Sequence, residues 1–396
     1  MESILRSERK LSLSRLWNRQ SDHDYAPVDG AEQNEYRAAT GLESADKMIR
    51  QAPKRRQWQD YFTCGSIWGL TILAAILLIS LLISVAKSLW GIEDDPDKSF
   101  GNWGKPGTET EGLARYPTDF LRDVVPIRCH SHNDYWRKVP LLSALRAGCI
   151  GVEADVWLVD DAPELYVGHD TAALTEERTF KSLYINPLVD LINRTNPQTQ
   201  FYSDTRRGVF DYDPEQTLIL LVDVKTDGAE TWPHVMSQLE PLRSRDWLTY
   251  VKDGVVQQRQ VTVVGTGNTP FDLVVENSTY RDTFFDAPLA KLWEDPDDPD
   301  STPTKEAIAY DETNSLYAST SLIEAVGVGF GGFSDDQLRR IRGQIKGAHK
   351  RGLKVRYWDT PGWPIGLRNK VWHTLMEEGA DILNVDDLRS ASKLEF

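Results

Sequence analysis

The chain has 396 residues, 40% of them hydrophobic, and thirteen tryptophans, enough to bury one large core and still carry appendages. A formal net charge of −15 argues against nucleic acid as a partner, because binding a phosphate backbone needs a basic footprint. Three cysteines are too few for a disulfide framework.

Residues 1–60 lack a sustained apolar period and read as a disordered tail; Leu11, Leu13, Leu16 and Trp17 with Arg15 and Arg19 would at most form a short basic amphipathic turn. From Tyr61 to Ala86 no residue is charged, which predicts a transmembrane helix over 61–87. Lys47, Arg50, Lys54, Arg55 and Arg56 precede it, whereas Lys87 and then Glu93, Asp94, Asp95 and Asp97 follow. The basic flank belongs on the cytosolic side, so the expected topology is type II, with the C-terminal part lumenal or extracellular. Two sequons, at Asn193 and Asn277, fall in that part, where glycosylation is allowed. Residues 61–396 carry 34 Lys and Arg against 50 Asp and Glu, so bulk charge would not draw this part to an anionic membrane.

Residues 88–114, rich in Gly, Pro, Asp and Glu, read as a stalk. Beyond it, eight short apolar runs predict strands: 124–130, 150–157, 217–225, 260–265, 283–287, 316–322, 354–358 and 381–385. Helical patterns at 141–147, 187–192, 232–242, 335–350 and 370–378 lie between most of them. This alternation predicts an α/β fold of the TIM (β/α)8 barrel type over residues 115–396. An extra run, Glu164 to Val167, is expected to fold back on the second strand as a hairpin, and the Asp-Pro repeats of 294–305 mark a surface insertion. Cys129 and Cys149 fall at opposite ends of adjacent predicted strands, so a bridge between them is not expected.

Several of these strands end in chemistry. Glu153 and Asp155 are two apart on one strand and share a face; two carboxylates in a barrel interior repel unless something neutralises them. Asp223 and Lys225 share a face at the end of the next strand. Glu153, Asp155 and Asp223 make a sensible oxygen shell for Mg²⁺ or Ca²⁺, and no His-x-x-x-His or Cys-x-x-Cys pair suggests zinc. The competing reading is a structural salt-bridge network of Glu153, Asp155 and Lys225. His130 ends the first strand and His169 follows the hairpin; with His132 they are three of the chain's seven histidines. Paired imidazoles beside an acidic cluster suit acid and base work near neutral pH.

The motifs His-Ser-His-Asn-Asp-Tyr at 130–135, Val-Glu-Ala-Asp-Val-Trp-Leu at 152–158, His169-Asp170 and Asn-Val-Asp-Asp-Leu at 384–388 carry a resemblance. The strand motif and the later His-Asp resemble the glycerophosphodiester phosphodiesterase superfamily of phospholipase C-like barrels. From about residue 115 to the end the chain more closely resembles the fungal family altered inheritance of mitochondria protein 6. The resemblance implies a metal-dependent phosphodiesterase acting on a glycerophosphodiester or phospholipid-like substrate. His130 and His169 match its catalytic histidines, Glu153, Asp155 and Asp223 its metal ligands, and Lys225 a phosphate-binding lysine. Trp358 matches an aromatic on the seventh strand that lines the pocket. The chain departs from glycerophosphodiesterases in having Ser131 after the first histidine, where they usually have Arg, and Asp223 where they usually have Glu. His132 and Asn133 are expected to take over part of the grip of that Arg. The competing readings are an inactive membrane-tethered barrel that binds a ligand or partner, and a glycoside hydrolase, which needs neither cation nor the two histidines.

Overall fold

The computed structural model describes residues 54–89, 107, 120–159, 163–201, 206–298, 309–329 and 331–394. The expected tail up to residue 53, nearly all of the stalk and residues 299–308 of the insertion lie outside them.

The N-terminal helix runs Lys54–Leu89, and within it Ser66–Ala86 is a 21-residue apolar stretch with none of its residues buried. At 1.5 Å per residue that stretch is about 30 Å long, the thickness of a bilayer's hydrocarbon core. Its Thr71 hydroxyl donates back to Ile67 O at 2.7 Å, so that polar group is satisfied within the helix.

The C-terminal part is a closed barrel. Its parallel strands are β1 (Ile127–Ser131), β2 (Cys149–Leu158), β4 (Leu218–Val224), β7 (Val261–Gly267), β9 (Phe284–Pro288), β10 (Ser315–Ser321), β11 (Lys354–Trp358) and β12 (Ile382–Val385). Each pairs in parallel with the next, and β12 pairs with β1 to close the ring. All eight predicted strands are present. So is the hairpin: β3 (Leu165–Val167) lies antiparallel on the outer end of β2, with Val156 opposite Val167. Strands such as β4, buried from Leu218 to Val222, are apolar on both faces because side chains fill the barrel inside and helices cover it outside. The helix Asp335–His349 starts at a reciprocal cap, Ser334 with Gln337, and buries Ile341, Ile345 and Ala348 in the core.

Two findings differ from expectation. A small antiparallel sheet of β5 (Tyr250–Lys252), β6 (Val255–Gln257) and β8 (Tyr280–Arg281) was not anticipated, since strands of two or three residues give no readable period. Cys129 and Cys149 form a disulfide, with Cα atoms 4.7 Å apart, which overturns the expectation that they lie too far apart. The pairing of β1 with β2 slips between Ile127 and His130, and Ile127 sits opposite Cys149. Cys129 is therefore a cross-strand neighbour of Cys149 rather than at the far end of its strand.

Candidate active site

The site lies at the carboxyl ends of the strands, where parallel pairing sets polar side chains level with one another. Asp155 of β2 pairs with Asp223 of β4, and Asp223 with Thr266 of β7. The Thr266 hydroxyl in turn donates to Asp286 of β9 at 3.2 Å. Gly267 ends β7 at φ +65°, where a Cβ would lie 2.0 Å from Asp223 Oδ1. A glycine there lets the Asp223 carboxylate keep its place.

Glu153, Asp155 and Asp223 each bring an oxygen to within 4.8 Å of the others, although Glu153 and Asp155 are almost fully buried. Lys225 Nζ stands 3.0 Å from Asp155 and 2.7 Å from Asp223. It thus bridges these two. Burial first, then the charge of Glu153, pushes the Asp155 carboxyl up to about 7 against the pull of Lys225. Burial also raises Asp223, again opposed by Lys225. For Lys225 burial works downward, but Asp223 and Asp155 outweigh it and hold the ammonium charged. One ammonium does not satisfy three carboxylates: Asp155 Oδ1 and Asp223 Oδ1 remain buried without a hydrogen-bond partner among the described residues.

The loop after β1 wraps this cluster. Asn133, in the left-handed conformation at φ 48°, donates its backbone N–H to Glu153 Oε2 at 3.0 Å. His132 is 4.0 Å from Glu153 Oε2 and makes a 2.9 Å contact with Asp386. Burial lowers the His132 pKa, but the Asp386 hydrogen bond and Glu153 outweigh it, so the net shift is upward. The Tyr135 hydroxyl lies 2.7 Å from Asp155 Oδ2 and 3.1 Å from His169 Nδ1. His169 is half-exposed, with its ring 4.7 Å from that of Trp136.

His130 is fully buried. Its Nδ1 meets the Tyr317 hydroxyl at 3.3 Å, and its Nε2 has no partner. Burial, then Arg356 and His132, holds it well below the ordinary imidazole range. A Cβ on Gly151 would lie 2.3 Å from His130 Nδ1, so the glycine makes room for the ring.

Eight of the nine residues expected at the site, His130, His132, Asn133, Glu153, Asp155, His169, Asp223 and Lys225, therefore gather at one end of the barrel. Trp358 ends β11 and is 38% exposed, apart from the hydrogen-bonded network. Sequence reasoning missed Tyr135, Asp286, Tyr317, Arg356 and Asn384. Arg356 is 3% exposed and donates to Ser319 at 3.0 Å and Asn384 at 2.8 Å, with Asp286 at 3.5 Å. The signal for it was a charged residue in mid-strand on the same face as Trp358; Asp286, alternating with Phe284, gave a similar one.

The family described as AIM6-like phosphodiesterase domain matches residues 118–286. The altered inheritance of mitochondria protein 6 homolog of Arthroderma benhamiae is 45% identical over 296 residues, 72% of this chain and 88% of that protein. Altered inheritance of mitochondria protein 6 of Eremothecium gossypii is 37% identical over 286 residues, covering 69% and 70% of the two chains. Its namesake in Saccharomyces cerevisiae is 35% identical over 289 residues, covering 69% and 72%. No solved structure matches the chain significantly.

Proposed function

The chain belongs to the altered inheritance of mitochondria protein 6 family, and from that premise we propose that it is a membrane-anchored, metal-dependent phosphodiesterase acting on a glycerophosphodiester or phospholipid-like substrate. The observation that carries the reading is the buried carboxylate trio with unpartnered oxygens on Asp155 and Asp223. Buried anionic oxygens left unpaired are costly, and a set made only of oxygen donors fits a hard divalent cation, Mg²⁺ or Ca²⁺. Glu153, Asp155 and Asp223 would hold it, and it would supply Lewis-acid polarisation of a phosphoryl oxygen.

The chain's own groups do the rest. Lys225 places a fixed positive charge beside the phosphate, where charge grows in the transition state. His132 and Asn133 close the rim next to Glu153 and orient the diester. Trp358 offers an apolar wall for the substrate. His130 and His169 serve the attacking hydroxyl, from water or from the substrate itself, and the leaving oxygen.

The apolar stretch Ser66–Ala86 anchors the enzyme, and the basic residues before it favour a cytosolic N-terminus. The Cys129–Cys149 bridge supports a lumenal or extracellular barrel, because disulfides persist in oxidising compartments. Asn193 and Asn277 are both exposed, as glycan acceptors must be.

The test is turnover by the full chain in lipid nanodiscs, against glycerophosphodiesters and lysophospholipids with Mg²⁺, Ca²⁺ or chelator. Cation-dependent cleavage is expected. A folded barrel that binds a cation yet cleaves nothing would move the assignment to a ligand-binding protein.

A further inference from the structure

We propose that two tyrosines impose opposite tautomers on the site histidines. Tyr317 leaves His130 presenting an Nε2–H donor, and Tyr135 leaves His169 presenting an Nε2 lone pair, so His169 is the base and His130 the hydrogen-bond donor to the diester. The assignment of roles rests on the phosphodiesterase reading; the tautomers rest on counting protons.

A phenol has one proton to give. Tyr317 is fully buried, and among the described residues His130 Nδ1 is its hydroxyl's hydrogen-bonding partner, at 3.3 Å. If that nitrogen carried a proton of its own, the Tyr317 hydroxyl hydrogen would be buried with nowhere to go, a loss of about 1–3 kcal/mol. Tyr317 therefore donates, Nδ1 accepts, and the ring proton sits on Nε2, the buried atom that has no partner among the described residues.

Arg356 reinforces this state. Its guanidinium carbon lies 5.5 Å from the Tyr317 ring centroid, and its nitrogens are held by Ser319, Asn384 and Asp286. A fixed cation there opposes a second proton on His130. His132, in the loop just past the end of that strand, acts in the same sense. Of the carboxylates nearby, Glu153 accepts from Asn133 N–H, Asp286 Oδ2 meets Thr266 and Arg356, and Asp386 meets His132.

Tyr135 is in the reverse position. Its hydroxyl oxygen is 2.6 Å from Asn133 Oδ1 and 2.7 Å from Asp155 Oδ2. The Asn133 carbonyl oxygen and the Asp155 carboxylate both draw on the single phenol proton, so that proton is spent on an oxygen. What remains to face His169 Nδ1, at 3.1 Å, is a lone pair. Nδ1 must then carry the imidazole proton, and Nε2 of the half-exposed ring is left free to accept one.

In the reaction the attacking oxygen bonds to phosphorus as the bond to the leaving oxygen breaks, and the attacking hydroxyl passes its proton to His169 Nε2. Charge on the departing oxygen is met by the His130 Nε2–H. The leaving oxygen then takes one proton from solvent and His169 returns one, so the protons balance.

The experiment is long-range ¹H–¹⁵N correlation on the full chain with ¹⁵N-histidine in nanodiscs, with and without Mg²⁺, the two rings being assigned through His130→Gln and His169→Gln. His130 is expected protonated at Nε2 and bare at Nδ1, and His169 the reverse. Tyr317→Phe should release only His130 into a mixture of tautomers, and Tyr135→Phe only His169. Hydrolysis of bis(4-nitrophenyl) phosphate should fall about tenfold or more in kcat for each variant, with little change in KM. A proton on His130 Nδ1, the same tautomer on both rings, or tautomers indifferent to both tyrosine changes would overturn the proposal. The expected tautomers in a chain that cleaves no diester would uphold them and overturn the phosphodiesterase reading instead.

Discussion

At the carboxyl ends of the strands Asp155, Asp223 and Asp286 each keep a buried carboxylate oxygen without a partner, and His130 keeps Nε2 so. The amino ends, whose residues line a cavity of about 460 Å³, are polar too but answer their own needs. There Thr217, Thr262 and Thr249 pass hydroxyl contacts along at 2.8 and 2.7 Å. Asp381 accepts from Val355 N–H at 2.8 Å and meets His349 at the same distance. Gln260 Oε1 and Arg259 Nε, which lack a hydrogen-bond partner among the described residues, are exceptions at that end. Leaving buried polar atoms unpaired costs stability, and the carboxylates that bear this cost at the carboxyl ends are the cluster that could hold a metal ion.

The sharpest way to break this contrast is Glu153→Gln. It removes a charge from the carboxylate cluster while keeping its shape, and turnover should drop on the order of 10³-fold with circular dichroism unchanged. Unchanged turnover would sink the metal assignment. Next is Cys129→Ser, which opens a link spanning 20 residues directly behind His130. It should lower stability by about 3 kcal/mol, read by urea unfolding of the detergent-solubilised chain.

Asp134 gives a pH signature. Its carboxylate accepts from Ser131, from Leu141 N–H and from Tyr184, yet burial dominates and pushes it from 3.8 to about 6. The folded chain therefore holds this proton more tightly than the unfolded chain does. The stabilisation is complete below pH ~4 and is lost as pH rises through ~6, by about 3 kcal/mol at most. Melting temperatures across that window should fall less steeply in Asp134→Asn than in the unaltered chain; parallel slopes would refute this. The smallest effect is expected from Thr217→Val at the opposite end: about 1 kcal/mol of stability by unfolding, with turnover unchanged. Lost turnover there would blur the division of labour between the two ends.

Much of this molecule was legible as a string. Each barrel strand is a run of apolar or β-branched residues closed by a polar one, and that pattern is local. The same holds for the apolar run 61–86 and for carboxylates two apart at 153 and 155, whose shared face follows from strand geometry alone. The disulfide was not legible, because it depends on a slip in the pairing of β1 with β2 that no pattern within either strand records. Nor was the interior group of Arg356, Asp286, Tyr317 and Asn384, contributed by β11, β9, β10 and β12. A charged residue in mid-strand announces only that it needs a partner. Which partner it finds is decided by ring closure and register.

By itself, then, the order of residues determined the strands, the hairpin, the apolar helix and the polar residues at the strand ends, since these rest on side-chain alternation and composition over a few neighbouring positions. Only the tertiary structure decided that Lys225 bridges Asp155 and Asp223, that Tyr135 stands between Asp155 and His169, and that Cys129 meets Cys149. Those contacts join residues far apart in sequence, and a distance of about 3 Å between them exists only once the barrel has closed.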